Sequence, residues 1–145
     1  RGLSAPEIAE ELIAVREKAQ LLAVVDTLEY LQRGGRVSKT VALAGGLLNV
    51  KPIIGIVDGE IKMIGKARGN KQANALMNRE IEKLGVDFDK PILLGYTGTS
   101  DALLRQYMEE SGGLWQGRKL PSSIVSAVIG THAGPGAVAV AFFAK

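Results

Sequence analysis

Glycine sets the scale of every element this chain can form. The 18 glycines gather at Gly34-Gly35, Gly45-Gly46, Gly112-Gly113 and from Gly130 to Gly136, and with interspersed charge they cut the sequence into short apolar runs. Runs this short suit strands and modest helices, and they fall well below the ~20 residues that a membrane-spanning helix needs. A spanning helix is therefore not expected. The 145 residues make one domain, at roughly 100–200 residues per domain. With 46% hydrophobic and 23% charged residues, a packed core is expected and intrinsic disorder is not. The absence of cysteine excludes disulfides, thiolate metal sites and a cysteine nucleophile, and one histidine excludes a multi-histidine site. A net charge of +3 and a pI near 9.3 fit a small anionic ligand better than a long polyanion. An aromatic share of 5% with one Trp offers no stacking platform for nucleic acid. The chain starts at Arg1 without a signal-peptide pattern, so a fragment or processed chain that stays in the cytoplasm is the expectation.

Ser4-Ala5-Pro6-Glu7 has capping-box spacing, with the Ser4 hydroxyl set to accept from the Glu7 N–H and the Glu7 side chain reaching back. Ile8, Leu12 and Val15 then follow helical spacing, which predicts a helix over about 6–19. Leu21 to Val25 reads as a buried strand, and Leu28 to Leu31 as a short helix stopped by Gly34-Gly35, leaving Arg33 to Arg36 as a basic loop. Ser38 is a plausible cap for the Ala- and Leu-rich stretch Lys39 to Leu48. Lys51-Pro52 breaks that pattern, and Ile53 to Val57, Asp58-Gly59 and Ile61 to Met63 form a hairpin with a type I′ turn. Lys66 to Lys71 reads as a second basic loop before a helix over about 71–84, closed by Gly85. Pro91 to Tyr96, the polar turn Thr97 to Asp101 and a helix over 102–110 make a βα unit. The stretch 122–128 is ambiguous, and Ala137 to Phe143 is a final strand. The fold class is α/β of an α+β-like kind, a mixed, largely antiparallel sheet flanked by helices.

Ile129-Gly130-Thr131-His132-Ala133-Gly134-Pro135-Gly136 carries the only histidine. Read as a Gly-rich turn, it would leave N–H groups free to form an anion-binding nest, with His132 donating to an anionic oxygen. The plainer reading is a tight connection with His132 bonded to a local carbonyl. Arg36 beside Gly34-Gly35 and Arg68 beside Gly69 could each fork onto a carboxylate or phosphate, or could be solvated surface arginines. A hydrolase elbow, a Walker loop and a zincin motif do not occur. No catalytic residue and no metal ligand is assigned.

The segments Leu28-Glu29-Tyr30-Leu31-Gln32-Arg33-Gly34-Gly35-Arg36-Val37-Ser38, Lys51-Pro52-Ile53, Asp58-Gly59, Lys66-Ala67-Arg68-Gly69 and Gly130-Thr131-His132-Ala133-Gly134-Pro135-Gly136, in this order, resemble the C-terminal half of the DegV family over nearly the whole chain. The resemblance implies that residues 1–145 are a single C-terminal domain of a two-domain fatty-acid-binding protein, with the N-terminal domain missing from this chain. It further implies a carrier and not an enzyme. No cofactor is called for beyond the bound long-chain fatty acid, which the intact protein presents to a fatty acid kinase subunit for acyl-phosphate formation. Carried over by position, His132, with Thr131 and Gly134 of its segment, falls near the ligand's carboxyl group. Arg36 and Arg68 fall at the head-group side or the kinase-docking surface.

An acyl chain needs an apolar trough more than polar contacts, at about 0.8 kcal/mol per buried CH₂. The stretch Val41 to Leu48, with Gly46 and Leu47, and with Ile53 and Ile54 as neighbours, is expected to form part of its wall. Half of such a cleft leaves an apolar surface exposed. Two other classes stay open from the residues themselves: a small-molecule phosphate or nucleotide site used catalytically, and a docking domain whose basic loops meet an acidic protein patch.

Overall fold

The computed structural model describes residues 2–38 and 49–145. The elements are α1 (Ala5–Arg16), β1 (Ala19–Val24), α2 (Glu29–Arg33), β2 (Val50–Val57), β3 (Glu60–Arg68), α3 (Gly69–Leu84), β4 (Leu93–Tyr96), α4 (Ala102–Glu110), β5 (Ser122–Ile124), α5 (Ala127–Ala133) and β6 (Val138–Phe143). Six strands form one sheet in the order β3-β2-β1-β6-β4-β5. Every neighbouring pair runs antiparallel except β4 and β5, which are parallel and joined through α4. The mixed, largely antiparallel sheet matches the expectation. Lys39 to Leu48, including Gly46 and Leu47, lies outside the described residues. Among the described residues no helix is long and apolar enough to cross a membrane.

Among the described residues, the two faces of the sheet are covered unequally. On one, Leu22, Val24, Ile53, Leu94, Val138, Val140 and Phe142 pack against α3 through Ala73, Met77 and Ile81, and against α4 through Leu104 and Tyr107, with Trp115 buried among them. The i, i+4, i+8 spacing of Ala73, Met77 and Ile81 is a single helical stripe, the pattern that lets α3 lie flat on strands. On the other face, Ala23, Val25, Ile54 and Ala137 are capped by Leu28 and Leu31 around the short α2. Leu21 and Leu93 remain 37% and 47% exposed, and both stand opposite Ala141. Among the described residues, this second face is an apolar floor roofed in part by α2.

Three local expectations are corrected. Lys51-Pro52 does not break the pattern but lies inside β2, where the Pro52 carbonyl accepts from the Val25 N–H at 3.0 Å; the missing N–H of proline is tolerated beyond the register shared with β1. Lys66-Ala67-Arg68 is not a loop, because β3 runs on to Arg68 opposite Val50, and Gly69 at φ +75° turns directly into α3. Gly130 to Ala133 is not a turn but the C-terminal part of α5. One internal glycine costs about 1 kcal/mol in a helix, which tertiary packing overrides. The Ser4–Glu7 capping box is present as expected, and within it the Ser4 hydroxyl also donates to the Glu7 carboxylate at 2.6 Å, beside the Ser4 N–H bond to the same oxygen at 2.7 Å. These bonds from Ser4, side chain first, hold the Glu7 carboxyl below the usual carboxylate range. The hairpin is as expected, with Asp58 at φ 52° and Gly59 at φ 77° forming the type I′ turn.

Candidate functional site

The segment around α2 and the end of α5 meet on the thinly covered face through two reciprocal contacts. Each contributes one ring and one glycine. The His132 ring lies over Gly34, where an added Cβ would overlap Nδ1 and lie 2.8 Å from Cε1. The Tyr30 ring lies over Gly134, where an added Cβ would sit 2.8 Å from Cε2 and closer still to Cδ2. Two side chains longer than hydrogen would hold these segments apart, so the pairing itself selects glycine at 34 and 134. Gly134 also takes φ +75°, the left-handed conformation that ends α5.

Thr97 fixes the exit of α5 from the opposite side. Its buried hydroxyl donates to the Gly134 carbonyl at 2.5 Å and accepts from the Ala137 N–H at 2.9 Å. Its backbone pairs with Ala137 and Gly136, each at 3.1 Å. The segment 134–137 is thereby anchored to the end of β4, and the preceding helical turn with it.

The result is a pocket of about 390 Å³ lined by Tyr30, Arg33, Gly34, Gly130, Thr131 and His132. His132 Nδ1 is buried and lacks a hydrogen-bond partner, which leaves Nε2 as the nitrogen for an outside oxygen. Arg33 pairs with Glu29 one turn away at 2.5 Å, with both side chains more than half exposed. Such an exposed i,i+4 pair is worth about 0.3–0.5 kcal/mol, so its cation is readily shared. Thr131 lines the pocket but its hydroxyl donates to the Ala127 carbonyl at 2.8 Å. Next to His132 along α5, Val128 and Ile129 are 75% and 59% exposed.

The residues singled out from the sequence are thus divided among several places. His132, Thr131 and Gly134 come together with α2. Arg36 is exposed, with Nη1 donating to the Gly34 carbonyl at 2.7 Å. It borders a separate open cleft of about 980 Å³ that faces the hairpin tip at Glu60, Ile61 and Lys62. There the Glu60–Lys62 hydrogen bond, with their mutual attraction, holds the carboxyl below and the ammonium above their usual ranges. Arg68 sits at the end of β3. Ile53 is fully buried in the α3-facing core, while Ile54 belongs to the α2-facing cluster.

The expected nest of free amides is not formed. Gly130 N–H donates to Ser126 O and Gly134 N–H to Gly130 O, both at 2.8 Å, and Gly136 N–H donates to Thr97 O at 3.1 Å. Sequence reasoning assigned no site role to Tyr30, Arg33, Gly34 or Thr97. Gly34 carried a signal in its doublet, read as a helix stop and as room for Arg36 to approach an anion, not as a seat for His132. Thr97 was assigned to a capping turn, and its reach to Gly134 and Ala137 spans too much sequence for any local pattern to reveal.

Comparison with known proteins gives a consistent result. A family model described as "Uncharacterised protein, DegV family" matches residues 1–145. A DegV domain-containing protein of Caldanaerobacter subterraneus is 36% identical over 99% of this chain and 51% of its own length. The solved structure of a fatty acid binding DegV family protein from Streptococcus agalactiae superposes with a TM-score of 0.83 at 26% identity, covering 99% of this chain and 51% of that one. The Streptococcus pneumoniae Fatty Acid Kinase B3 protein loaded with linoleic acid shares the fold, with a TM-score of 0.87 at 24% identity over 99% of this chain and 51% of that one. The chain spans about half the length of the curated relatives it matches.

Proposed function

The chain belongs to the DegV family, and from that premise we propose that it is the C-terminal, lipid-binding domain of a two-domain fatty-acid carrier. The acyl chain lies along the thinly covered face of the sheet, and its carboxyl group meets His132. The observation that carries this reading is the juxtaposition on α5: a half-buried imidazole with one free nitrogen, one turn from the exposed Val128 and Ile129. A fatty acid has the two complementary parts, an anionic head and an apolar tail. Burial of the tail would stabilise the complex by about 0.8 kcal/mol per CH₂, and the head needs only a few well-placed donors.

Arg33, rather than Arg36 or Arg68, shares the pocket of His132, so it supplies positive charge beside the head group. Arg36 and Arg68 are left for the docking surface. In the intact protein, the carboxyl group at this pocket is presented to a fatty acid kinase, which supplies the phosphoryl group while the carrier transfers none. The phosphate or nucleotide reading loses its support in the geometry, because the glycine amides that would cradle a phosphate are spent on α5 and on Thr97.

The test is made on the intact parent protein, extracted with organic solvent and analysed by mass spectrometry. About one fatty acid per chain is expected of a single buried site. A clean extract from a protein that also takes up no added palmitate would overturn the carrier reading. Incubating the loaded protein with a fatty acid kinase and ATP tests presentation: acyl phosphate should form, and should not form when the carrier is omitted.

A further inference from the structure

Resting on that reading, we infer that Gly34 is a positioning residue that selects the tautomer of His132, so that the neutral imidazole carries its proton on Nε2 and meets the ligand as a donor. The argument is steric. A Cβ at position 34 would overlap His132 Nδ1. In glycine a hydrogen points in that direction, so the Nδ1 edge of the ring rests on an Hα. A second hydrogen, carried by Nδ1 itself, would collide with it, whereas a lone pair fits. Nor does any acceptor meet Nδ1, which is buried without a hydrogen-bond partner. A buried N–H without an acceptor is rare, because the lost hydration is not replaced.

A neutral imidazole has one N–H and one lone pair. With the lone pair confined at Nδ1, the proton sits on Nε2. That choice suits a carboxylate, which offers only lone pairs and would be repelled by the lone pair of the other tautomer. The ring cannot easily turn away from Gly34, because its helix is held at both contacts: Tyr30 covers Gly134, and Thr97 binds the Gly134 carbonyl. A donor in place before the ligand arrives needs no reorganisation.

Nitrogen-15 NMR of the ligand-free intact protein, at a pH where the ring is neutral, reads the tautomer directly, with the His132 signals identified by their loss in His132→Gln. The expected pattern is a protonated Nε2 and an unprotonated Nδ1; a protonated Nδ1 would overturn the inference. This readout needs no fatty acid, so its failure is separate from that of the carrier reading, which shows as absent palmitate uptake. A second measurement uses side-chain mimics. His132→Gln puts an amide N–H near the place of Nε2, and His132→Asn near that of Nδ1. Both variants are expected to bind palmitate less tightly, and Asn about tenfold less tightly than Gln, the size of one lost hydrogen bond to a charged group. Equal affinities for the two variants would refute the donor assignment. Gly34→Ala should scramble the tautomer pattern; a folded variant that keeps both the pattern and palmitate affinity removes Gly34 from the role.

Discussion

At residue scale the site rests on two glycines and one threonine. Gly134→Ala places a methyl against the Tyr30 ring at φ +75°, and both the overlap and the left-handed backbone oppose it. A loss of about 1–3 kcal/mol is expected, measured by urea unfolding, and Tyr30→Ala should recover part of it. Thr97→Val keeps the shape and removes the bridge, leaving Gly134 O and Ala137 N–H buried without their hydroxyl partner. The expected cost is about 1–3 kcal/mol, and an unchanged unfolding midpoint would show that the bridge is dispensable. His132→Ala should weaken palmitate binding by the intact protein about tenfold or more while the protein still folds cooperatively. His132 was legible because it stands alone among 145 residues. Thr97 was not, since a hydroxyl in a polar turn looks the same whether it caps a helix or bridges strands.

At the scale of elements, periodicity located α1, α4, β6 and the hairpin to within a few residues of where they lie. Asp58-Gly59 carried its own turn geometry. It failed where the outcome depended on packing between elements. The string from Gly130 to Gly136 looked like a turn, yet its first half is helix because α5 has α2 to rest on. At α1 the bond from Ser4 defines a pH effect. The folded Glu7 carboxyl titrates below its ordinary value of 4.5, so its contribution is present above that value and is lost as pH falls through the lowered one. The Ser4 amide proton should therefore shift on acidification with a midpoint below 4.5, read by NMR, and Glu7→Gln should abolish the titration.

At the scale of the whole molecule, the described residues cover the two faces of the sheet unequally, and the proposed carrier reading rests on that difference. Two long stripes, from α3 and α4, seal one face. Among the described residues the other has the short α2 and the end of α5, with Leu21, Leu93, Val128 and Ile129 left exposed. Exposed side chains contribute little to stability, and substitutions there usually move it by less than about 0.5 kcal/mol. Replacing Val128 and Ile129 together by Ser should therefore spare the fold while weakening palmitate binding by the intact protein. Unchanged affinity would take α5 out of the acyl path.

What the sequence alone determined is what nearest neighbours along the chain decide: strand and helix periods, the Asp58-Gly59 turn, the absence of cysteine chemistry, and the run of motifs that marks the family. The tertiary structure decided which of those pieces touch. It brought Gly34 under His132 and Gly134 under Tyr30, set Arg33 instead of Arg36 beside the imidazole, and spent the glycine amides within the fold. Each of those outcomes depends on a contact between residues far apart in sequence. Steric exclusion and hydrogen-bond satisfaction act on distance in space, and no local pattern encodes that distance.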